Sequence, residues 1–118
     1  MLDVNLMIPP MVEDIVGLEP QFPERVPTFP TGILTPLDVG SGVILSGEER
    51  FAAVSFQIDI YDTDPRRCTE TALKVSSRLI SRGFKRTGGA ALKEERLQRR
   101  TLTFSAIIDE HTGHIYRG

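Results

Sequence analysis

Residues 52–60 read Ala52-Ala53-Val54-Ser55-Phe56-Gln57-Ile58-Asp59-Ile60, and their period of two decides the fold. Ala52, Val54, Phe56, Ile58 and Ile60 are apolar, while Ala53, Ser55, Gln57 and Asp59 are small or polar. That is the pattern of a strand with one buried face. The run ends in Asp62-Thr63-Asp64-Pro65. Asp64 is placed to cap a helix, its carboxylate accepting from free first-turn amides, and Pro65 suits the first helical position because it has no amide to leave unpaired. Cys68, Ala72, Val75 and Leu79 then recur at helical spacing, with Leu73, Ser76 and Ile80 widening the stripe, so a helix is expected to about Arg82. Gly83 supplies a left-handed stop, and Phe84 beyond it can fold back onto the helix.

Toward the C-terminus, a short strand is expected near Phe84 to Thr87, and Gly88-Gly89 opens a loop holding Lys93, Glu94, Glu95 and Arg96. A long strand follows from about Leu97 to Asp109, with Leu102, Phe104, Ala106 and Ile108 facing one way. Glu110 to Gly113 forms a turn, and His114 to Arg117 a short returning strand. Toward the N-terminus, Pro9 and Pro10 interrupt any helix begun at Leu2 or Val4, so a short helix from Pro10 to Val16, stopped by Gly17, is expected instead. The prolines at 20, 23, 27 and 30 favour extended chain. Thr31 to Leu37 reads as a strand confined to an edge by Pro36. Gly40 to Gly47 reads as a flexible loop around Val43 to Leu45.

The expected fold is therefore α+β: an antiparallel or mixed sheet of about four strands, one long helix over about 65–82 on one face, and a short N-terminal helix. A chain of 118 residues makes one domain. Residues 1–50 form its Pro/Gly-rich portion, and 51–118 its strand–helix–strand–strand core. No stretch reaches the roughly 18 apolar residues of a membrane span, and the N-terminus has no basic, apolar signal pattern. An intracellular, non-membrane protein is the expectation. The single Cys68 excludes an internal disulfide and a cysteine-built zinc site.

Three groups could carry chemistry. Asp59, Asp62 and Asp64 gather at a strand end, where carboxylates can hold a hard cation, but each also has a local role: solvent face, turn and helix cap. His111 and His114 have a ligand-like spacing in a turn, but a third and fourth ligand would have to come from elsewhere, with Asp109 and Glu110 the nearest candidates. Cys68 lies on the apolar stripe, which predicts a buried thiol, although Arg66 and Arg67 stand beside it. No phosphate-binding glycine loop and no Gly-x-Ser-x-Gly is present. The expectation is no enzyme, no cofactor and no metal.

Charge is distributed unevenly. The net charge is −2, but residues 1–65 carry −9 and residues 66–100 carry +8. The basic segment could grip phosphates, yet Phe84 is its only aromatic, so a stacking platform for single strands is missing. Acidic and basic surfaces on one subunit fit head-to-tail self-assembly better. Lys93, Arg96, Arg99 and Arg100 are the candidate interface residues, with Glu48, Glu49 and Asp62 opposing them.

Three stretches also carry a resemblance: Phe56 to Asp62 leading into the helix; Arg82-Gly83-Phe84-Lys85-Arg86-Thr87 at the helix exit; and Arg99 to Phe104, closed by Gly113-His114-Ile115-Tyr116-Arg117. In order and spacing, residues 51–118 resemble the tail terminator proteins of long-tailed phages, also called tail-completion or minor capsid proteins. Residues 1–50 depart from that pattern, since the family commonly opens with a longer helix. The resemblance implies a virion structural protein, assembled in the host cytoplasm and located at the head-proximal end of the tail. It implies a homo-oligomeric, hexameric ring that caps the tail tube protein, stops its polymerisation and offers a docking surface to head–tail connector proteins, with DNA passing through the lumen. The alternatives are a head–tail neck or head-completion protein, and a small nucleic-acid binder using residues 66–100.

Overall fold

The computed structural model describes residues 3–24, 28–45, 48–94 and 96–116, with backbone alone for 38–45, 48–50 and 94. The fold is α+β. In chain order it runs α1 (Val4–Val12), β1 (Leu18–Glu19), β2 (Thr31–Leu45), β3 (Glu48–Asp62), α2 (Pro65–Ser81), β4 (Lys85–Glu94), β5 (Leu97–Asp109) and β6 (Ile115–Tyr116). One mixed sheet has the order β1-β2-β3-β5-β4, with β6 continuing beside β5. Four long strands are thus joined by two of two residues each, more than the sequence pattern suggests. β2–β3, β3–β5 and β5–β4 are antiparallel, and β1 meets β2 in parallel at Gly32 and Ile33. Because β5 lies between them, β3 and β4 run parallel and α2 crosses from one to the other in a split β-α-β arrangement.

The predicted alternation of β3 holds. Ala52, Val54, Phe56, Ile58 and Ile60 are buried, the first four opposite Ile108, Ala106, Phe104 and Leu102 of β5 and Ile60 opposite Arg100. Their common face receives Cys68, Ala72, Val75 and Leu79 of α2. The helix start is as the sequence indicates: the Asp64 carboxylate accepts from the Arg66 and Arg67 amides, and Pro65 is the first helical residue. The stripe is narrower, however. Ser76 is buried as expected, but Leu73 and Ile80 are exposed, and Thr71 is buried where the pattern did not place it. Thr71 tolerates this because its hydroxyl donates to the Arg67 carbonyl one turn back.

Gly83 has φ +106°, and a Cβ there would come within 2.8 Å of the Ile115 carbonyl oxygen, so the stop requires glycine on both counts. The Phe84 amide bonds back to the Leu79 carbonyl, and its ring sits edge-on to Phe56 at 5.3 Å.

Three sequence expectations are corrected. The first helix spans Val4–Val12 and contains Pro9 and Pro10. The missing proline amides would have met the carbonyls of Asn5 and Leu6, residues on the exposed side where water can serve them. Val4, Ile8 and Val12, four apart, are buried in the core, and that burial overrides the local cost. Secondly, residues 40–45 continue β2 as strand, pairing at Gly40↔Ala53, Val43↔Phe51 and Leu45↔Glu48. Ser46 and Gly47 of that expected loop lie outside the described residues. Thirdly, Gly88 and Gly89 lie inside β4. A Cβ on Gly89 would strike the folded-back Arg86 guanidinium and approach the Thr101 carbonyl oxygen at 3.1 Å, so glycine permits close packing here and does not open a loop. The register shift at Arg86/Gly88 marks a bulge. The edge position of Pro36 agrees with expectation, since β1 covers β2 only at Gly32 and Ile33.

Candidate assembly surface

The β3–α2 junction disperses the three aspartates. Residues three apart on a strand point to opposite faces, so Asp59 and Asp62 cannot share a site. Asp62 is buried, and Arg67 grips it through two bonds, Nε to Oδ2 at 2.6 Å and Nη2 to Oδ1 at 2.7 Å, while the Asp64 amide donates to Oδ1. Burial pushes the Asp62 pKa up, but the Arg67 hydrogen bond and the backbone amides of Asp64 and Thr63 outweigh it and hold the carboxyl below the ordinary aspartate value.

Asp59 is also buried, contrary to the expectation of a solvent position, and lies on the sheet face away from the helices. Gln57, Arg99 and Thr101 all donate to it. Asp64 is used in the helix cap. Among the described residues no group of three or more His, Cys, Asp or Glu could hold a metal ion.

The four candidate basic residues do not form one surface. Arg100 pairs with Ile60 and Ala91, so it shares the helix-side face with Lys93, and its Nη2 donates to Thr69 Oγ1. Arg99, one residue earlier, faces the other way. Its side chain is 24% exposed, bonds Asp59 at 3.1 Å and lies 5.7 Å from the Tyr61 ring centre. Lys93 and Arg96 are exposed near the β4–β5 turn.

Of the proposed acidic partners, Asp62 is withdrawn as a surface group, because its side chain is buried against Arg67. Glu48 and Glu49 begin β3, and their side chains lie outside the described residues.

The charge split is in part consumed inside the subunit. Asp62–Arg67, Asp59–Arg99 and Asp14–Arg78 each join the acidic first half to the basic segment. Arg78 forks onto both Asp14 oxygens and also donates to the Met11 carbonyl, tying the end of α1 to α2. That hydrogen bond holds the Asp14 carboxyl below its usual value. Sequence reasoning did not find this pair, since its members lie on elements 64 residues apart.

His111 and His114 occupy the β5–β6 turn, where Asp109 accepts from the His111 and Thr112 amides and the His114 ring lies 4.3 Å from that of Tyr116. Cys68 is buried, its Sγ 3.4 Å from the Ile60 carbonyl oxygen. Burial, reinforced by the Asp62 charge, raises its pKa, which disfavours the nucleophilic thiolate. A cleft between α2 and β4 is lined by Thr69, Leu73, Arg86 and Arg100, with no carboxylate, histidine or cysteine on its wall. No helix among the described residues is long and apolar enough to cross a membrane.

What the geometry does offer is strand edge. β4 has β5 on one side, and its residues Lys85–Thr87 and Gly89–Lys93 are exposed. No motif marks it, because the Gly-Gly pair that reads as a loop sits in its middle.

In comparisons with known proteins, no family model and no curated protein matches the chain.

Proposed function

We propose that the chain is a structural subunit of a phage tail, a tail terminator that assembles into a ring on the tail tube, stops its growth and presents a surface to the head connector. The reading is carried by the ordered resemblance of three segments, Phe56–Asp62, Arg82–Thr87 and Arg99–Phe104, which belong to adjoining parts of the core. β3 pairs with β5, β4 pairs with β5, and Phe84 packs on Phe56. Such a role asks for rigid subunits, repeated interfaces and two distinct axial faces, with no bond-making chemistry. A sheet packed against two helices and tied by the Asp62–Arg67 and Asp59–Arg99 ion pairs supplies rigidity, and the strand edges left open among the described residues supply repeatable contacts. Six copies, tail tube protein below and connector above, complete the proposal.

Electron microscopy of tails assembled in cells lacking this protein tests it. Overlong, uncapped tubes beside filled heads are the expected result. Tails of normal length that fail to join heads would assign the chain to the neck instead, and normal joined particles would overturn the virion role.

A further inference from the structure

We propose that the outer edge of β4 pairs, antiparallel, with the outer edge of β2 in a second copy of this chain. The inference deepens the assembly reading above and rests on it. Among the described residues β4 is bonded on one side only, to β5, and β2 beyond Ile33 is bonded only to β3.

Direction favours the match. β2 and β5 are each antiparallel to β3, and β4 is antiparallel to β5, so β2 and β4 run in opposite senses. Copies set side by side in the same orientation therefore bring β4 against β2 as an antiparallel pair, the stronger kind of ladder. Length matches as well: ten residues of β4 extend roughly 34 Å and Leu34–Leu45 of β2 roughly 40 Å at the usual rise per residue.

The two edges differ in charge. β4 carries Lys85, Arg86 and Lys93 against Glu94, whereas Asp38 is the one charged residue in the β2 sequence. Unlike edges attract while two β4 edges repel, which favours a head-to-tail contact over a two-fold one. Natural edges are guarded by charge or by bulges. The charged residues of β4 stand toward its ends, with the Arg86 guanidinium folded over Gly89 and its Nε donating to the Gly88 carbonyl, so the uncharged and uncovered stretch is Ala90 to Leu92, with Leu92 45% exposed. On β2, Leu37 is 53% exposed. β1 occupies β2 at Gly32 and Ile33, so the incoming β4 must slide toward the β2–β3 hairpin end. A stagger of that kind is what closing a sheet into a ring demands.

The test uses two single variants, Leu92→Lys and Leu37→Lys, with mass measured by light scattering after size exclusion and folding checked by thermal melting. Both side chains are exposed, so both variants should keep a cooperative melt, lowered only by what assembly contributes to the wild type. Each alone should fall from the wild-type oligomer to monomer. Mixed, they should form a one-to-one heterodimer that grows no further, because the sound β2 of one meets the sound β4 of the other. Loss of assembly in Leu92→Lys alone, with no heterodimer, overturns the proposal in favour of a β4–β4 contact. Wild-type mass in both variants overturns it and leaves the ring itself standing. A wild-type monomer at the highest soluble concentration also overturns it, and tail length in the deletion cells then decides the assembly reading independently.

Discussion

Arg67 reaches back five residues from the first turn of α2 to close a two-point bridge on Asp62, the last residue of β3, and the Asp62 carboxylate is buried beneath it. The bridge fixes the angle at which the strand hands over to the helix. Because the arginine is half-exposed, removing its partner does not strand a buried cation.

Asp62→Asn should therefore cost about 2 kcal/mol, the range for hydrogen bonds to a charged group, read as a lower melting temperature at neutral pH. The pH dependence follows from the depressed carboxyl pKa. Its stabilising contribution is complete above the ordinary aspartate value of about 3.9 and is lost as pH falls through the lower folded-state value. Chemical denaturation between neutral and acidic pH should show a smaller acid loss in the variant. An unchanged acid profile would remove Asp62 as its source.

Arg99 and Lys93 should behave differently on charge reversal. Arg99→Glu sets a second carboxylate against buried Asp59 and should destabilise the subunit by about 1–3 kcal/mol. The Lys93→Glu, Arg96→Glu double variant alters exposed side chains and should stay within about 0.5 kcal/mol of the wild type. Loss of oligomer in that double variant, by light scattering, would then report on an interface and not on folding. An unchanged oligomer would exclude both residues from it.

Phe84 sits between α2 and the sheet, fully buried and edge-on to Phe56. Phe84→Ala should cost about 3–5 kcal/mol, as expected for an aromatic removed from a close-packed core. Equilibrium unfolding in urea measures it, and a cost below about 1 kcal/mol would show that the site collapses around the gap.

Cys68 should resist thiol reagents in the folded protein and react fully in denaturant. Its raised pKa carries a sign as well: the contribution is complete below the unfolded thiol value of about 8.5 and is lost as pH rises from there toward the folded value. Cys68→Ala should weaken that alkaline loss. Rapid labelling under native conditions would contradict the burial.

Much of the core was legible in the residues themselves. β3 and β5 alternate with a period of two because each has one buried face, and α2 announces itself through Asp64, Pro65, its four-residue stripe and Gly83. These signals are local, and packing agrees with them. The errors fall where packing opposes local preference. Two prolines sit inside α1 because Val4, Ile8 and Val12 gain a core position, and two glycines sit inside β4 where a Cβ would meet the Thr103 hydroxyl at Gly88 and the Arg86 guanidinium and Thr101 carbonyl at Gly89. The candidate surface was less legible still. Which of four arginines and lysines share a face depends on strand register, and one residue's difference sends Arg99 and Arg100 to opposite sides.

The sequence by itself determined the strand and helix of residues 52–83 and the strand of 97–109, since caps, stops and hydrophobic period act over a few neighbouring residues. The tertiary structure alone decided the partners: Asp14 with Arg78, Asp59 with Arg99, β5 placed between β3 and β4, and, among the described residues, the edges of β2 and β4 left open. Those follow from long-range pairing, in which register and burial are set by the whole core at once and no local pattern encodes them.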